Sequence, residues 1–174
     1  NLNPFAVNFA HIWQDGSGHH CHVFDEADIV DGSLPAMADL IESRYKRQIP
    51  NCRATGDATG RNRNIALRDN ASNRTLFQRG LRLQNSQVSL HATPTHENSR
   101  ADCNYVLFNY PDFKINPETC PNTCRDMRIV QWDVEKNCIL KSNRGKAGQQ
   151  ADHLDNMRML VHDTPIQSWI KFHS

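Results

Sequence analysis

The sequence predicts a mostly β domain (α+β by strict count): an antiparallel β-sandwich or barrel of about eight strands with one N-terminal helix, braced by disulfides. Three observations predict it. Short alternating apolar segments, separated by turn residues, recur along most of the chain. One segment, residues 33–47, carries a convincing helical period. Six cysteines, at positions 21, 52, 103, 120, 124 and 138, are dispersed over 174 residues without a CxxC pair, which reads as three bridges rather than a metal cluster.

The elements follow in chain order. In PFAVNFAHIW, residues 4–13, the side chains of Phe5, Val7, Phe9, His11 and Trp13 share one face of a strand. Asp15-Gly16 marks a turn, and the strand pattern resumes at Cys21-His22-Val23-Phe24, so 5–13 pairs with 19–25 as a hairpin. The period then changes. Leu34, Met37, Ile41 and Tyr45 line one helical face, Ser33 is a plausible N-cap, and Pro35 fits the first turn. Arg44, Lys46 and Arg47 complement the helix dipole, and Pro50 ends the run. Residues 51–63 read as loop. Strands are expected at 63–69, 74–84 and 86–93, the last two joined around Asn85-Ser86. After a polar loop, CNYVLFNY (103–110) reads as a central strand. A Pro- and Cys-rich connection fills 111–124, and 127–142 reads as a hairpin turning near Glu135 to Asn137. A polar linker at 143–153 precedes two closing strands at 157–163 and 166–174. The expected organisation is an N-terminal hairpin-plus-helix segment, 1–50, packed on a β-rich body, 51–174, as one compact unit.

Hydrophobic content is 38%, enough for a real core. No apolar run approaches the ~18 residues that a membrane helix needs, so no membrane span is expected. The net charge of +1 gives no global reason to expect nucleic acid or a membrane as partner. The chain begins at Asn1 and reads as a processed or trimmed one. With the cysteines, the sequons Asn70-Ala71-Ser72 and Asn73-Arg74-Thr75 suggest a secreted, extracellular glycoprotein.

The stretch GHHCHVFDEADIVDG, residues 18–32, concentrates potential metal ligands. On a strand, His20 and His22 point to one face, so both imidazoles could reach one ion, with Glu26 following. The spacing His20-x-His22-x-x-x-Glu26, followed by Gly32, resembles part of the first metal motif of the cupin barrels. That resemblance implies a divalent metal held by these three residues and a later histidine. The second motif of the family, Pro-x-Gly followed by histidine, has no counterpart, and neither His96 nor His162 sits in its context. The favoured expectation is a polar strand edge beside a disulfide, with no metal and no cofactor.

Other residues suggest other chemistry. His91, His96 and Glu97 could move protons in a secreted hydrolase or ribonuclease, with Arg79 and Arg82 steadying phosphate. Arg61, Arg63, Arg79 and Arg82 belong to an arginine-dense stretch that could bind phosphate, acidic glycan or an acidic protein. The dibasic Lys46-Arg47 matches a processing site for proteases of the secretory route. Cys120-Pro-Asn-Thr-Cys124 reads as a double disulfide anchor.

In general appearance, with six dispersed cysteines, Lys46-Arg47 after a helix and an Asn- and Arg-rich β body, the chain resembles the small secreted effectors and toxins of plant-pathogenic fungi. The resemblance implies a non-enzymatic virulence protein that binds a host or other extracellular protein. Two alternatives stand beside it. One is a carbohydrate- or small-ligand-binding β module using Trp13, Trp132 and Trp169. The other is the His/Glu hydrolase or ribonuclease.

Overall fold

The N-terminal hairpin is present in the computed structural model. β1 (Phe5–Asp15) and β2 (Gly18–Ile29) are joined by a turn in which the Ser17 backbone N–H donates to Asp15 Oδ1 at 2.8 Å. Gly18 has φ +129°, a region that L side chains avoid. The structure describes residues 5–29, 33–61, 71–140 and 151–173. They form two compact units: a hairpin unit of 6–27 and 94–174, and an inserted unit running from 28 to 93.

In the hairpin unit, β2 is central in a three-stranded sheet of order β1-β2-β5. The third strand, β5 (Asp112–Ile115), is parallel to β2, with His20 opposite Asp112 and His22 opposite Lys114. One sheet face is apolar. Ala10, Ile12, Cys21 and Phe113 pack against Val106, Tyr110, Val161, Ile166 and Trp169. Val23 and Ile115 continue that face onto Cys120 and Met157. Apart from Cys120, these partners come from α3 (His96–Asn109) and its C-cap Tyr110, α5 (Asp152–Val161) and α6 (Thr164–His173). Each fully buried aliphatic side chain here contributes about 1.5–3 kcal/mol. The short helix α4 (Pro121–Ile129) leads into a small ladder, β6 (Trp132–Asp133) with β7 (Cys138–Ile139).

The inserted unit contains α1 (Leu34–Tyr45), β3 (Ala54–Asp57), α2 (Asn73–Leu81) and β4 (Val88–His91). The expected helix is there: Ser33 caps α1 by accepting from the Ala36 N–H, and Pro35 sits in its first turn. Its buried face, Met37, Ala38 and Ile41, meets α2 closely enough that a Cβ on Gly80 would stand 2.7 Å from Ala38 Cβ. β3 and β4 pair in parallel, and their last residues, Asp57 and His91, are register partners.

This architecture overturns the expected sandwich or barrel. The described residues hold six α-helices and three small sheets of three, two and two strands, an α/β arrangement. Residues 74–81 belong to helix α2, not a strand, and 86–93 supplies β4, which pairs with β3 rather than forming a hairpin with 74–84. The expected strand 103–110 is the second half of α3, and the strands at 157–163 and 166–174 are α5 and α6. In α5, Met157, Met159 and Val161 are all buried, so a helix covered on several sides imitates strand alternation. In α3 the apolar residues do not gather on one stripe, and only the Thr95 cap and Glu97 in the first turn announce a helix. The strand expected at 63–69 lies outside the described residues.

The disulfide bracing is also corrected, because Cys21, Cys52, Cys103, Cys120, Cys124 and Cys138 are all free thiols. Cys21 and Cys120 are completely buried and act as small apolar residues of the core.

Candidate functional site

The polar face of the β1-β2-β5 sheet gathers the histidine run. His20 Nδ1 and His22 Nε2 each donate to Asp112 Oδ2 at 2.7 Å, and Lys114 Nζ meets Asp112 Oδ1 at 2.7 Å. On the far side of its ring, His20 Nε2 lies 3.1 Å from Asp15 Oδ1 and 3.0 Å from Ser17 Oγ. Trp13 stacks on His20 at 4.5 Å and 7°, and stands edge-on to His22 at 4.7 Å. The hydrogen bond to Asp112, joined by the one to Asp15, raises the His20 pKa above its ordinary value. The same bond, with those from Lys114 and His22, lowers that of Asp112.

Glu26 does not join this cluster. The buried positions on β2 run Cys21, Val23 and then Glu26, so the alternation slips by one residue and Glu26 turns to the core side. Its carboxylate closes the N-terminus of α4. Oε1 accepts from the Asn122 N–H at 2.7 Å, and Oε2 accepts from the Thr123 N–H at 2.8 Å and Thr123 Oγ1 at 2.6 Å. Pro121 opens this helix, and a carboxylate on its first free N–H groups suits both their unpaired donors and the dipole.

A polar network extends from that cap. Asn8 Nδ2 donates to Thr123 Oγ1 at 2.6 Å, while Asn8 Oδ1 accepts from His153 Nδ1 at 2.8 Å and Asn156 Nδ2 at 3.0 Å. The His153 N–H donates to buried Asp126, whose pKa is raised because burial outweighs its bonds from Arg125 and His153. The start of α5, with Asp152 and Asp155 in its first turn, is thus fixed near the carboxyl end of β2. Arg158, almost wholly buried, ties Asp155 to α3 by bonding Asp155 Oδ1 at 2.8 Å, Ser99 Oγ at 2.7 Å and the Pro94 carbonyl at 3.2 Å.

The other expected residues are dispersed. His91 ends β4, its Nε2 3.1 Å from Ser89 Oγ. His96 and Glu97 belong to the first turn of α3 in the other unit. Arg79 lies in the last turn of α2, and Arg82 is its left-handed C-cap. Arg61 closes a 3-10 turn, and Arg63 lies outside the described residues. Lys46 and Arg47 are exposed just after α1. The three tryptophans form no shared platform: Trp169 is buried, Trp132 lies under Arg100 at 4.2 Å, and Trp13 stacks on His11 and His20. Sequence reading missed Asp112, which only strand register reveals, and Asn8, His153, Asp57 and Asp155. The single signal for the last was the acidic run Asp152-x-x-Asp155 ahead of an apolar segment, a helix-start pattern.

No family model matches the sequence, and no curated protein matches it. A solved structure does match the fold: the nuclease domain of the large terminase from bacteriophage SPP1, determined with bound Mn. It superposes with a TM-score of 0.54 at 16% identity, covering 93% of this chain and 80% of that one. The chain therefore has the α/β fold of a nuclease domain. Together with the free thiols, this sets aside the secreted cysteine-rich effector or toxin.

Proposed function

We propose that this chain is a nuclease-type domain that cleaves phosphodiester bonds in nucleic acid with the help of divalent metal ions. The observation that carries the reading is the fold likeness, over 93% of the chain, to a nuclease domain solved with Mn. The hydrolase alternative is thus favoured over a non-enzymatic binder of host protein or glycan, and the expectation of no nucleic-acid partner is reversed.

In sheets with parallel strands, ligand sites gather beyond the carboxyl ends of the strands. Each unit places acidic residues at such an end. In the inserted unit, Asp57 and His91 terminate the parallel pair β3–β4. In the hairpin unit, Glu26 is consumed by the α4 cap, which leaves Asp152 and Asp155 at the start of α5. Carboxylate oxygens suit Mn²⁺ and Mg²⁺, so each unit offers one candidate metal holder of its own: Asp57 in the inserted unit and Asp155 in the hairpin unit. A bound divalent ion supplies an activated water and charge stabilisation at the phosphoryl group. The chain's own part is to hold those carboxylates still: Asp57 Oδ1 accepts from the Thr59 N–H at 2.9 Å, and Arg158 anchors Asp155.

The test is incubation of the purified chain with duplex DNA, single-stranded DNA and RNA under Mn²⁺, Mg²⁺ or chelator. Cleavage with Mn²⁺ that stops on chelation supports the reading. No cleavage of any substrate, or cleavage indifferent to chelator, overturns it.

A further inference from the structure

The polar sheet face carries a second arrangement of ligands, at the amino ends of β2 and β5. Within the same unit, that is the end opposite Glu26 and the start of α5. We propose that His20, His22 and Asp112 form a binding site for one borderline divalent transition-metal ion of the zinc class, distinct from the ions of phosphodiester cleavage.

Donor chemistry is the first ground. Two imidazole nitrogens and one carboxylate oxygen suit zinc, cobalt or nickel, whereas magnesium and calcium prefer all-oxygen sites. Geometry is the second. His20 Nδ1, His22 Nε2 and a carboxylate oxygen of Asp112 lie within 4.8 Å of one another. Bonds of ~2.0–2.1 Å in tetrahedral geometry set neighbouring donors about 3.3 Å apart. The two nitrogens already stand 2.7 Å from Asp112 Oδ2, so an opening of roughly 0.6 Å admits an ion. Three protein ligands leave a further position for water.

Orientation beyond the ligands is the third ground and is independent of them. A ligating histidine characteristically gives its other N–H to a carboxylate, which fixes tautomer and ring plane. His20 Nε2 faces Asp15 Oδ1 at 3.1 Å, so moving its proton there leaves Nδ1 bare for the metal. Trp13, parallel to the His20 ring and edge-on to His22, holds both planes from the same face. Ser17 Oγ bonds Asp15 Oδ1 at 2.6 Å and fixes that carboxylate in turn. Lys114 contacts Oδ1 of Asp112, the oxygen not shared by the histidines, and its side chain is 66% exposed. It can stay as partner to the oxygen that the metal does not use.

Strand register assembles the set. His20 and His22 are two apart on β2 and so share a face, while Asp112 is the parallel partner of His20 on β5. Binding would clip β5 to β2 across a junction otherwise made by a four-residue strand.

The test is equilibrium dialysis of the full chain against Zn²⁺ and, separately, Co²⁺, with metal counted per chain and the visible Co²⁺ spectrum recorded. The wild type should hold one more equivalent than His22→Gln and Asp112→Asn, and its Co²⁺ complex should show nitrogen–oxygen rather than thiolate character. Asp57→Asn and Asp155→Asn should keep the equivalent that His22→Gln and Asp112→Asn lose, so this result stands apart from that of the nuclease assay. Unfolding temperature should rise with Zn²⁺ for the wild type and stay flat for His22→Gln, a half-exposed site whose substitution is compatible with folding. No stoichiometric ion in the wild type means a hydrogen-bonded cluster only and overturns the site. Equal binding by wild type and both variants places the ion elsewhere on the chain and overturns the site as well.

Discussion

Glu26 and Thr123 are joined twice through a single oxygen: Glu26 Oε2 accepts from both the backbone N–H and the hydroxyl of Thr123, at 2.8 and 2.6 Å. A strand side chain thereby caps a helix 97 residues away in sequence. Because the carboxylate is buried and the donors have no water to turn to, the bond is charge-assisted and hard to replace. Glu26→Gln should cost about 2–3 kcal/mol, since an amide keeps one acceptor oxygen and sets an N–H₂ against the helix donors. Urea unfolding of the two proteins measures it. A loss under roughly half a kcal/mol would show that the cap does not hold α4.

For the nuclease reading, Asp57→Asn or Asp155→Asn, whichever unit holds the ion, should lower Mn²⁺-dependent cleavage by at least ~100-fold while circular dichroism stays unchanged, because an amide is a poor ligand for a hard cation. Glu26→Ser does not serve as a control, because it disturbs α4. His22→Gln does, and it should cleave at the wild-type rate. Retained activity in both Asp variants would remove both residues as metal holders.

Burial pushes the thiols of Cys21 and Cys103 up to about 12, and that of Cys120 up to about 11. At pH 8 about one in ten thousand of the first two is thiolate, the reactive form. In native protein, alkylation should therefore spare Cys21, Cys103 and Cys120 while half-buried Cys124 and Cys138 react. In denaturant without reductant all six should take label. Fewer than six labels by intact mass would mean bridges and contradict the free-thiol structure.

Asp126 gives a pH dependence. Its folded pKa is raised, chiefly by burial, so between the unfolded value of ~3.9 and the folded one the native state holds more protons than the unfolded state. Stability from this group is complete below the unfolded pKa and declines as pH rises through the folded pKa. Relative to Asp126→Asn, the wild type should thus lose stability from pH 4 upward and then level off. Matched chemical unfolding across pH 4–7 checks the sign. A rising difference would mean that the Arg125 contacts, at 2.9 and 3.2 Å, outweigh burial.

Legibility in the sequence followed local chemistry. The hairpin and α1 were readable because each carries its own signals: alternation and Asp15-Gly16 in one, Ser33 and Pro35 in the other. The others were not: in α3 the apolar residues do not gather on one stripe, and α2, α4, α5 and α6 are only nine or ten residues long, short enough for their apolar runs to imitate strand alternation or a loop. The caps of α2 and α3 were still written in the chain, at Ser72 and Thr95. His20 and His22 were legible as a pair through their two-residue spacing. Asp112 was invisible because its proximity depends on a parallel register set by tertiary packing. The shift of Glu26 to the other face was equally hidden, since strict alternation admits no slip within a strand.

The parallel pairing of β2 with β5 places the whole inserted unit between two strands that touch. His20 and Asp112 are 92 positions apart, so this sheet forms only after a long loop has been closed. Loop-closure entropy grows with the logarithm of length, and each doubling adds only about 0.6 kcal/mol. The hairpin unit is therefore nearly indifferent at equilibrium to how much chain is inserted after β2. Its folding rate is not, because distant contacts form late. The junctions near residues 27 and 94 are thus the positions where this fold can lengthen, shorten or exchange its insert while leaving its own sheet intact.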